Sequence, residues 1–90
     1  MTTPLSDADI ATRTKRLIAT MAPEPTQPDA LQGAQRLIED LGFDSIRLME
    51  LTVTLERGFA LPRYKPDQLA DVRTVDDVIT LVSTALRAQQ

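Results

Sequence analysis

The sequence predicts an all-α fold: a small four-helix bundle with three longer helices, one short third helix and a long first loop. Hydrophobic residues make up 42% of the 90 residues but aromatic residues only 3%, so the core must be aliphatic, which favours packed helices over a β-sandwich. Apolar residues also recur at helical spacing in three separate stretches. A chain this short builds one modest core, and we therefore expect a single domain over residues 1–90.

The first helix is predicted over about residues 6–21. Ser6 is the expected N-cap, and Asp9 follows it at the spacing of a capping box. Apolar residues recur at helical spacing from Ile10 to Met21, with basic residues on the other faces. A group of prolines then ends the helix, because proline lacks the amide donor and restrains the residue before it.

Residues 22–40 are predicted to form a long connection that begins as a loop. The spacing of its apolar residues leaves open a short helix within residues 30–38, which Gly33 weakens. A loop of this length is unusual in a compact domain unless it is anchored to the core. We expect three leucines to anchor it: Leu31, Leu37 and Leu41.

The second helix, predicted over about residues 45–57, carries two apolar rows where one buried stripe needs only one. The row expected to face the core is Leu48, Leu51, Thr52 and Leu55. The other row, expected to stay partly exposed beside Ser45, is Ile46, Met49 and Val53. Gly58 is the expected C-cap, after which Phe59 returns to the core.

Two more helices complete the predicted bundle. Prolines restrict the stretch after the second helix to a loop and a short helix or 3₁₀ turn over about residues 66–71. The last helix is predicted over about residues 74–87, because Thr74 and Asp77 have the spacing of another capping box.

Composition excludes several classes of function. The chain has no cysteine and no histidine, so it lacks disulfides, a thiolate, the usual general base and the commonest metal ligand. We therefore expect no metal site and no enzymatic activity. A net charge of -3 argues against nucleic-acid binding, and the pattern of apolar residues leads us to expect neither a membrane span nor a signal peptide. We expect a soluble, monomeric, cytoplasmic protein that binds neither nucleic acid nor a membrane.

Ser45 is the best candidate for covalent chemistry. Serine and aspartate both cap helices, so the pair Asp44 and Ser45 can be explained by helix stability alone. If Asp44 is the cap, the Ser45 hydroxyl is free to face solvent. That hydroxyl has no histidine to activate it, so it suits modification by another enzyme better than attack by itself. A phosphate ester there would be stabilised by the helix N-terminus.

The segment from Glu39 to Leu51, which reads EDLGFDSIRLMEL, resembles the phosphopantetheine attachment motif of acyl and peptidyl carrier proteins. Nearly the whole chain fits that family, including its length, long first loop and short third helix. The resemblance implies a freestanding carrier with 4′-phosphopantetheine on Ser45, transferred from coenzyme A by a separate Mg²⁺-dependent phosphopantetheinyl transferase. The prosthetic thiol then carries acyl or aminoacyl groups as thioesters.

The resemblance also implies roles for the neighbours of Ser45. Asp44 is the acid beside the metal site of the transferase, and Gly42 gives the backbone room at the turn. The positions implied to meet partner enzymes are Ile46, Arg47, Met49, Glu50, Val53 and Glu56. A plainer interpretation stays open, in which Met49 and Val53 belong to the core and the two glutamates to a solvated face.

Two basic residues depart from the pattern of fatty-acid carriers, which often have acids at the positions of Arg47 and Arg57. A base beside the modified serine is more like carriers of polyketide or nonribosomal peptide pathways. We therefore expect a carrier in polyketide, hybrid or other specialised biosynthesis, served by a loading enzyme and a downstream synthase or transferase. Two alternatives remain: a peptidyl carrier loaded by an adenylating enzyme, and an unmodified helical interaction module.

Overall fold

The computed structural model describes residues 6–24, 26–63 and 71–88. It contains three α-helices, α1 (Asp7–Met21), α2 (Ser45–Gly58) and α3 (Val75–Ala88), and a 3₁₀ turn at Pro28–Ala30. The described residues include no strand beyond one isolated bridge, between Arg36 and Thr74, so the predicted all-α bundle is confirmed. The short helix predicted over residues 66–71 lies, except for Asp71, outside the described residues.

Helix α1 begins with the capping box that the sequence predicted. Ser6 Oγ accepts a hydrogen bond from the Asp9 amide at 3.1 Å, and Asp9 Oδ2 accepts one from the Ser6 amide at 3.4 Å. Ala22 leaves the helix with an extended backbone, ψ 142°, as expected for a residue before proline. Both predicted ends of this helix are therefore confirmed.

The long first loop is anchored as predicted, without an α-helix in residues 30–38. Leu31 and Leu37 are buried and Leu41 is half-buried, whereas Ile38 is exposed. Its regular structure is the 3₁₀ turn and a hydrogen-bonded turn over residues 37–41. The loop gains backbone hydrogen bonds from α3 instead, so it needs no helix of its own to satisfy its carbonyls.

The first loop caps helix α3. The amides of Val75 and Asp76 donate to the carbonyls of Gln35 and Gly33, each at 3.0 Å. The Asp77 amide donates to Thr74 Oγ1 at 3.1 Å, and Asp77 Oδ2 accepts from the Thr74 amide at 3.0 Å, which confirms the second capping box. Side chain and loop together satisfy amides that a helix start leaves without partners.

Helix α2 buries one apolar row and exposes the other. Leu51 and Leu55 are buried, and Leu48 and Thr52 are half-buried, as predicted for the core row. The helix runs through Gly58, however, so the prediction of Gly58 as its C-cap is wrong.

Helix α2 ends in a Schellman motif. Phe59 is the C-cap and is buried, while Ala60 takes the positive φ of 55°. The Leu61 amide donates to the Glu56 carbonyl at 2.7 Å and the Ala60 amide to the Arg57 carbonyl at 3.4 Å, which is the pattern of that motif. The left-handed residue is therefore Ala60, two positions after Gly58.

The three helices share one aliphatic core with two phenylalanines. Helix α1 packs against both α2 and α3. Arg13 of α1 donates to the Gly58 carbonyl at 3.1 Å, and its guanidinium lies 5.0 Å from the centre of the Phe59 ring. The buried core is Ile10, Ile18, Ala19, Leu31, Leu37, Phe43, Leu51, Leu55, Phe59, Leu61, Val75, Val78 and Val82.

Candidate functional site

The start of α2 presents Ser45 to solvent. Asp44 is the N-cap, and its Oδ1 accepts a hydrogen bond from the Arg47 amide at 2.8 Å. Ser45 is therefore the first helical residue. It is exposed, and its hydroxyl makes no hydrogen bond within the described part of the chain. The cap that the sequence left undecided is Asp44, so the Ser45 hydroxyl has no capping task.

Gly42 and Phe43 fix the approach to this helix. Gly42 has a φ of +80°, a left-handed conformation that favours glycine. A side chain would have space there, since the nearest atom to an added Cβ is 3.9 Å away on Pro23, so the backbone conformation is what requires glycine. Phe43 is buried and its amide donates to the Leu37 carbonyl at 2.9 Å. Phe43 was not predicted as an anchor, although it is one of only three aromatic residues in the sequence.

An apolar cavity of about 210 Å³ opens beside Ser45. It lies between α2 and α3 and is lined by Leu37, Ser45, Leu48, Met49, Leu51, Thr52, Leu55, Val72, Val78 and Leu81. Among these described residues the polar side chains are those of Ser45 and Thr52, and Thr52 Oγ1 already donates to the Leu48 carbonyl at 2.9 Å. A group attached to Ser45 would therefore find an apolar compartment within the fold.

The exposed row of α2 forms a second concave surface on the side facing α1. This α1–α2 groove, about 570 Å³, is lined by Met21, Ile46, Met49, Glu50, Val53 and Thr54. Ile46, Met49 and Val53 are 70%, 67% and 45% exposed, so Met49 and Val53 are not core residues. Glu50 is exposed and Glu56 is half-buried.

Arg47 turns away from Ser45 and toward the end of α1. Its Nη1 donates to the carbonyl oxygen of Met21 at 3.1 Å, and the contact is partly buried. The guanidinium of Arg47 is therefore hydrogen-bonded to the C-terminal end of α1.

Two carboxylates accept backbone hydrogen bonds, Asp40 within the first loop and Asp77 at the start of α3. The Arg36 amide and guanidinium, both hydrogen-bonded to Asp40, lower the pKa of the Asp40 carboxyl. The amides of Arg73 and Thr74 lower the pKa of Asp77 in the same way. Both carboxylates accept hydrogen bonds from backbone amides near the cavity, which gives each of them a structural role.

Residues 6–24, 26–63 and 71–88 offer neither a metal-binding cluster nor a membrane span. No cluster of three acidic, histidine or cysteine side chains in those ranges could hold a metal ion. None of the helices described there is both long and apolar enough to cross a membrane.

The fold and the site define a class of protein: a helical carrier with an exposed serine at a helix start. Residues 15–82 match the family model described as the phosphopantetheine attachment site, and the chain belongs to this phosphopantetheine-binding family. The prosthetic group of the family is 4′-phosphopantetheine, and its members are carriers without catalytic activity of their own. The predicted family, cofactor and absence of enzymatic activity are thereby confirmed.

Several named relatives are acyl carrier proteins. Acyl carrier protein 3 of Ralstonia nicotianae is 27% identical over 85 residues, which cover 94% of each chain. The acyl carrier protein of Chlamydia trachomatis serovar L2 is 40% identical over 55 residues, or 61% of this chain and 70% of its own. That of Campylobacter hominis is 35% identical over 57 residues, or 61% and 68%. The similarity therefore extends, at lower identity, over almost the whole chain.

Proposed function

We propose that Ser45 Oγ is the attachment atom for 4′-phosphopantetheine and that the chain carries acyl intermediates between enzymes. The observation that carries this proposal is the exposed Ser45 hydroxyl, free of hydrogen bonds within the described residues, at the mouth of the apolar cavity. When bound, the group supplies a terminal thiol that holds the cargo as a thioester. The geometry of the start of α2 fits such a group.

The residues around Ser45 orient and accept the modification. Asp44 holds the first turn of α2 through the Arg47 amide, which keeps Ser45 at a fixed place on the surface. In the transfer, the Ser45 hydroxyl would give up its proton and form a new P–O bond, while a P–O bond of the coenzyme A pyrophosphate breaks and the nucleotide part leaves with its phosphates. The chain has no histidine to take that proton, so a separate transferase must supply the base. The phosphodiester charge then lies near the positive end of the helix dipole.

The cavity favours an acyl over an aminoacyl cargo. Its described lining offers no charged side chain to compensate an ammonium group, and burying an unpaired charge is strongly unfavourable. Its volume of about 210 Å³ exceeds the ~150 Å³ of an apolar protein cavity that binds benzene. We therefore propose a medium-length acyl chain as the preferred cargo.

Partners and pathway follow from the same proposal. The carrier meets a phosphopantetheinyl transferase, an acyl-loading enzyme and a downstream synthase or transferase, and acts in the cytoplasm. We propose polyketide, hybrid or another specialised biosynthesis as the pathway, because a basic residue at the position of Arg47 resembles the carriers of such pathways. The alternative is a peptidyl carrier loaded by an adenylating enzyme. An unmodified helical interaction module is the weaker alternative, because residues 15–82 match the model of the phosphopantetheine attachment family.

The attachment site is tested by intact mass. Purified protein is incubated with coenzyme A, Mg²⁺ and a promiscuous phosphopantetheinyl transferase. We expect one phosphopantetheine adduct on the wild type and none on Ser45→Ala. Ser83→Ala, which removes a half-buried hydroxyl on α3, is the matched control and should still be modified. An adduct on Ser45→Ala, or none on the wild type with several transferases, would overturn the assignment.

The cargo proposal is tested by thermal unfolding of loaded forms. Octanoyl and aminoacyl forms are prepared by transfer from the matching coenzyme A thioesters. We expect only the octanoyl form to melt at a higher temperature than the unloaded form, because only its chain can be buried in the apolar cavity. A gain of 1 kcal/mol would raise the melting temperature by about 4–8 °C in a domain of this size. Leu81→Phe, which fills the cavity, should remove that gain, whereas Leu86→Phe, on α3 but outside the lining, should keep it. Equal gains for both cargoes would contradict the preference.

A further inference from the structure

We propose that Arg47 is a positioning residue that holds the last turn of α1 against α2, so that Met21 completes the α1–α2 groove in which a modifying enzyme docks. This inference rests on the proposed function, because the docking enzyme is the one that modifies Ser45. It assigns Arg47 a task within the carrier rather than a contact with the partner.

The first observation is a hydrogen bond between residues far apart in the chain. Arg47 Nη1 donates to the Met21 carbonyl at 3.1 Å, across 26 residues of sequence. The last carbonyls of a helix lack partners within it and carry partial negative charge, so a cation there is favourable. The last turn of α1 has no basic residue of its own. Arg47 supplies from α2 the cation that α1 lacks.

The second observation is that α2 contacts Met21 twice. Thr54 Oγ1 lies 3.9 Å from Met21 Sδ, and Thr54 follows Arg47 by seven residues, close to two turns along the same face of α2. One contact holds the backbone of Met21 and the other lies at its sulfur. Among the described residues that line the groove, Met21 is the one from α1, and the others belong to α2.

The position of Arg47 on the helix separates it from the exposed row. Ser45 and Arg47 are two residues apart, about 200° around the helix axis, so they point in different directions. The exposed row of Ile46, Met49 and Val53 is the part of α2 that a partner meets. Arg47 is partly buried behind it, against α1.

The residues that line the α1–α2 groove indicate what kind of partner surface would fit it. Two methionines, Met21 and Met49, give it an adaptable apolar floor, and Glu50 is the charged residue in its lining. The fitting partner surface is therefore an apolar side chain with a basic neighbour. Since Glu50 favours that base, a cationic Arg47 facing outward would oppose the same contact. Its engagement with Met21 removes the conflict.

The test is steady-state transfer of phosphopantetheine to the apo protein. Arg47→Gln and Met21→Ala should each raise KM about fivefold with kcat unchanged, because docking weakens while the chemistry at Ser45 does not. The double variant should be no worse than the poorer single variant, since both changes remove one feature, a positioned Met21. Arg57→Gln, an exposed arginine on the same helix, is the charge-matched control and should leave KM within about twofold.

The outcomes separate positioning from contact. Multiplicative effects in the double variant, or an unchanged KM in either single variant, would overturn the proposal. Arg47→Lys retains a donor and should recover most of the wild-type KM, and Met21→Ala carries the test by itself if Arg47→Gln fails to fold. Amide exchange in the apo protein gives a readout without any transferase: the Ala22 amide, hydrogen-bonded to Ile18 at 2.9 Å, should exchange faster in Arg47→Gln. An unmodified wild type would refute the proposed function itself, whereas unchanged exchange at Ala22 would refute the positioning role alone.

Discussion

Gly33 and Asp76 meet at two points where the first loop joins helix α3. The Asp76 amide donates to the Gly33 carbonyl at 3.0 Å, and the Asp76 carboxylate occupies the space that a Cβ on Gly33 would take. The Leu37 amide, a few residues on, donates to the Arg73 carbonyl at 2.9 Å. Because Leu37 also lines the cavity beside Ser45, this joint connects the loop to the compartment proposed for the cargo.

Gly33→Ala should destabilise the protein through this contact. The added methyl group forces the Asp76 carboxylate aside. Because that side chain is exposed and can turn toward solvent, we expect the free energy of unfolding in urea to fall by only about 0.5 kcal/mol. Asp76→Ala removes the obstacle, so the double variant Gly33→Ala, Asp76→Ala should lose less than the sum of the two single changes. Additive losses would show that the contact with Asp76 is not the cause.

Asp44→Ala should lower the free energy of unfolding by about 1 kcal/mol, because Asp44 accepts the hydrogen bond of the Arg47 amide at the start of α2. It should also slow the modification of Ser45. Urea unfolding and the rate of adduct formation measure the two effects separately.

Asp44→Asn separates the cap from the charge. Asparagine caps helices as well as aspartate does, so this variant should keep its stability. If the carboxylate acts beside the metal of the transferase, as the family resemblance implies, Asp44→Asn should nonetheless be modified slowly. Wild-type rates in both variants would remove Asp44 from the attachment site.

Thr14→Val should stabilise the protein. Thr14 is fully buried, and its Oγ1 finds no hydrogen-bond partner in the described structure, whereas Thr20 Oγ1 donates to the carbonyl four residues earlier. Valine has the same shape without the hydroxyl, so removing the unpaired group should raise the free energy of unfolding by about 1 kcal/mol. Thr12→Val, on the exposed side of α1, is the control and should change it little. A destabilised Thr14→Val would mean that the hydroxyl does have a partner.

Stability should fall in acid because of Asp40 and Asp77. The Arg36 amide and guanidinium lower the pKa of Asp40, and the Arg73 and Thr74 amides lower the pKa of Asp77. A carboxyl with a lowered pKa in the folded state stabilises it fully above the ordinary value, here 3.8, and loses that contribution as the pH falls through the lowered one.

The pH effect is measured by urea unfolding from neutral pH down through and below the ordinary carboxyl pKa of 3.8. The double variant Asp40→Asn, Asp77→Asn should lose less stability over the acid part of this range than the wild type. Asp71→Asn, an exposed acid just before α3, should follow the wild type. Equal acid losses in all three proteins would contradict the assignment.

Much of the fold could be predicted because its signals are local. The starts of α1 and α3 depend on side chains three residues apart, at Ser6 and at Thr74, and both capping boxes are present. The exposed row of α2 could be predicted too, since a helix has room for only one buried stripe. The end of α2 could not, because Gly58 lies in the helix at a close approach of Leu17 from α1, and Ala60 takes the left-handed position.

The residues alone identify a helical member of the phosphopantetheine-binding family and make Ser45 the candidate for modification by another enzyme. The motif around Ser45 and the absence of histidine are enough for that conclusion, because both are properties of the residues alone. Only the tertiary structure decided that Arg47 meets Met21, that the first loop caps α3, and that an apolar cavity opens beside Ser45. These contacts join residues about 25 to 40 positions apart, so they follow from how the helices pack and not from any local pattern.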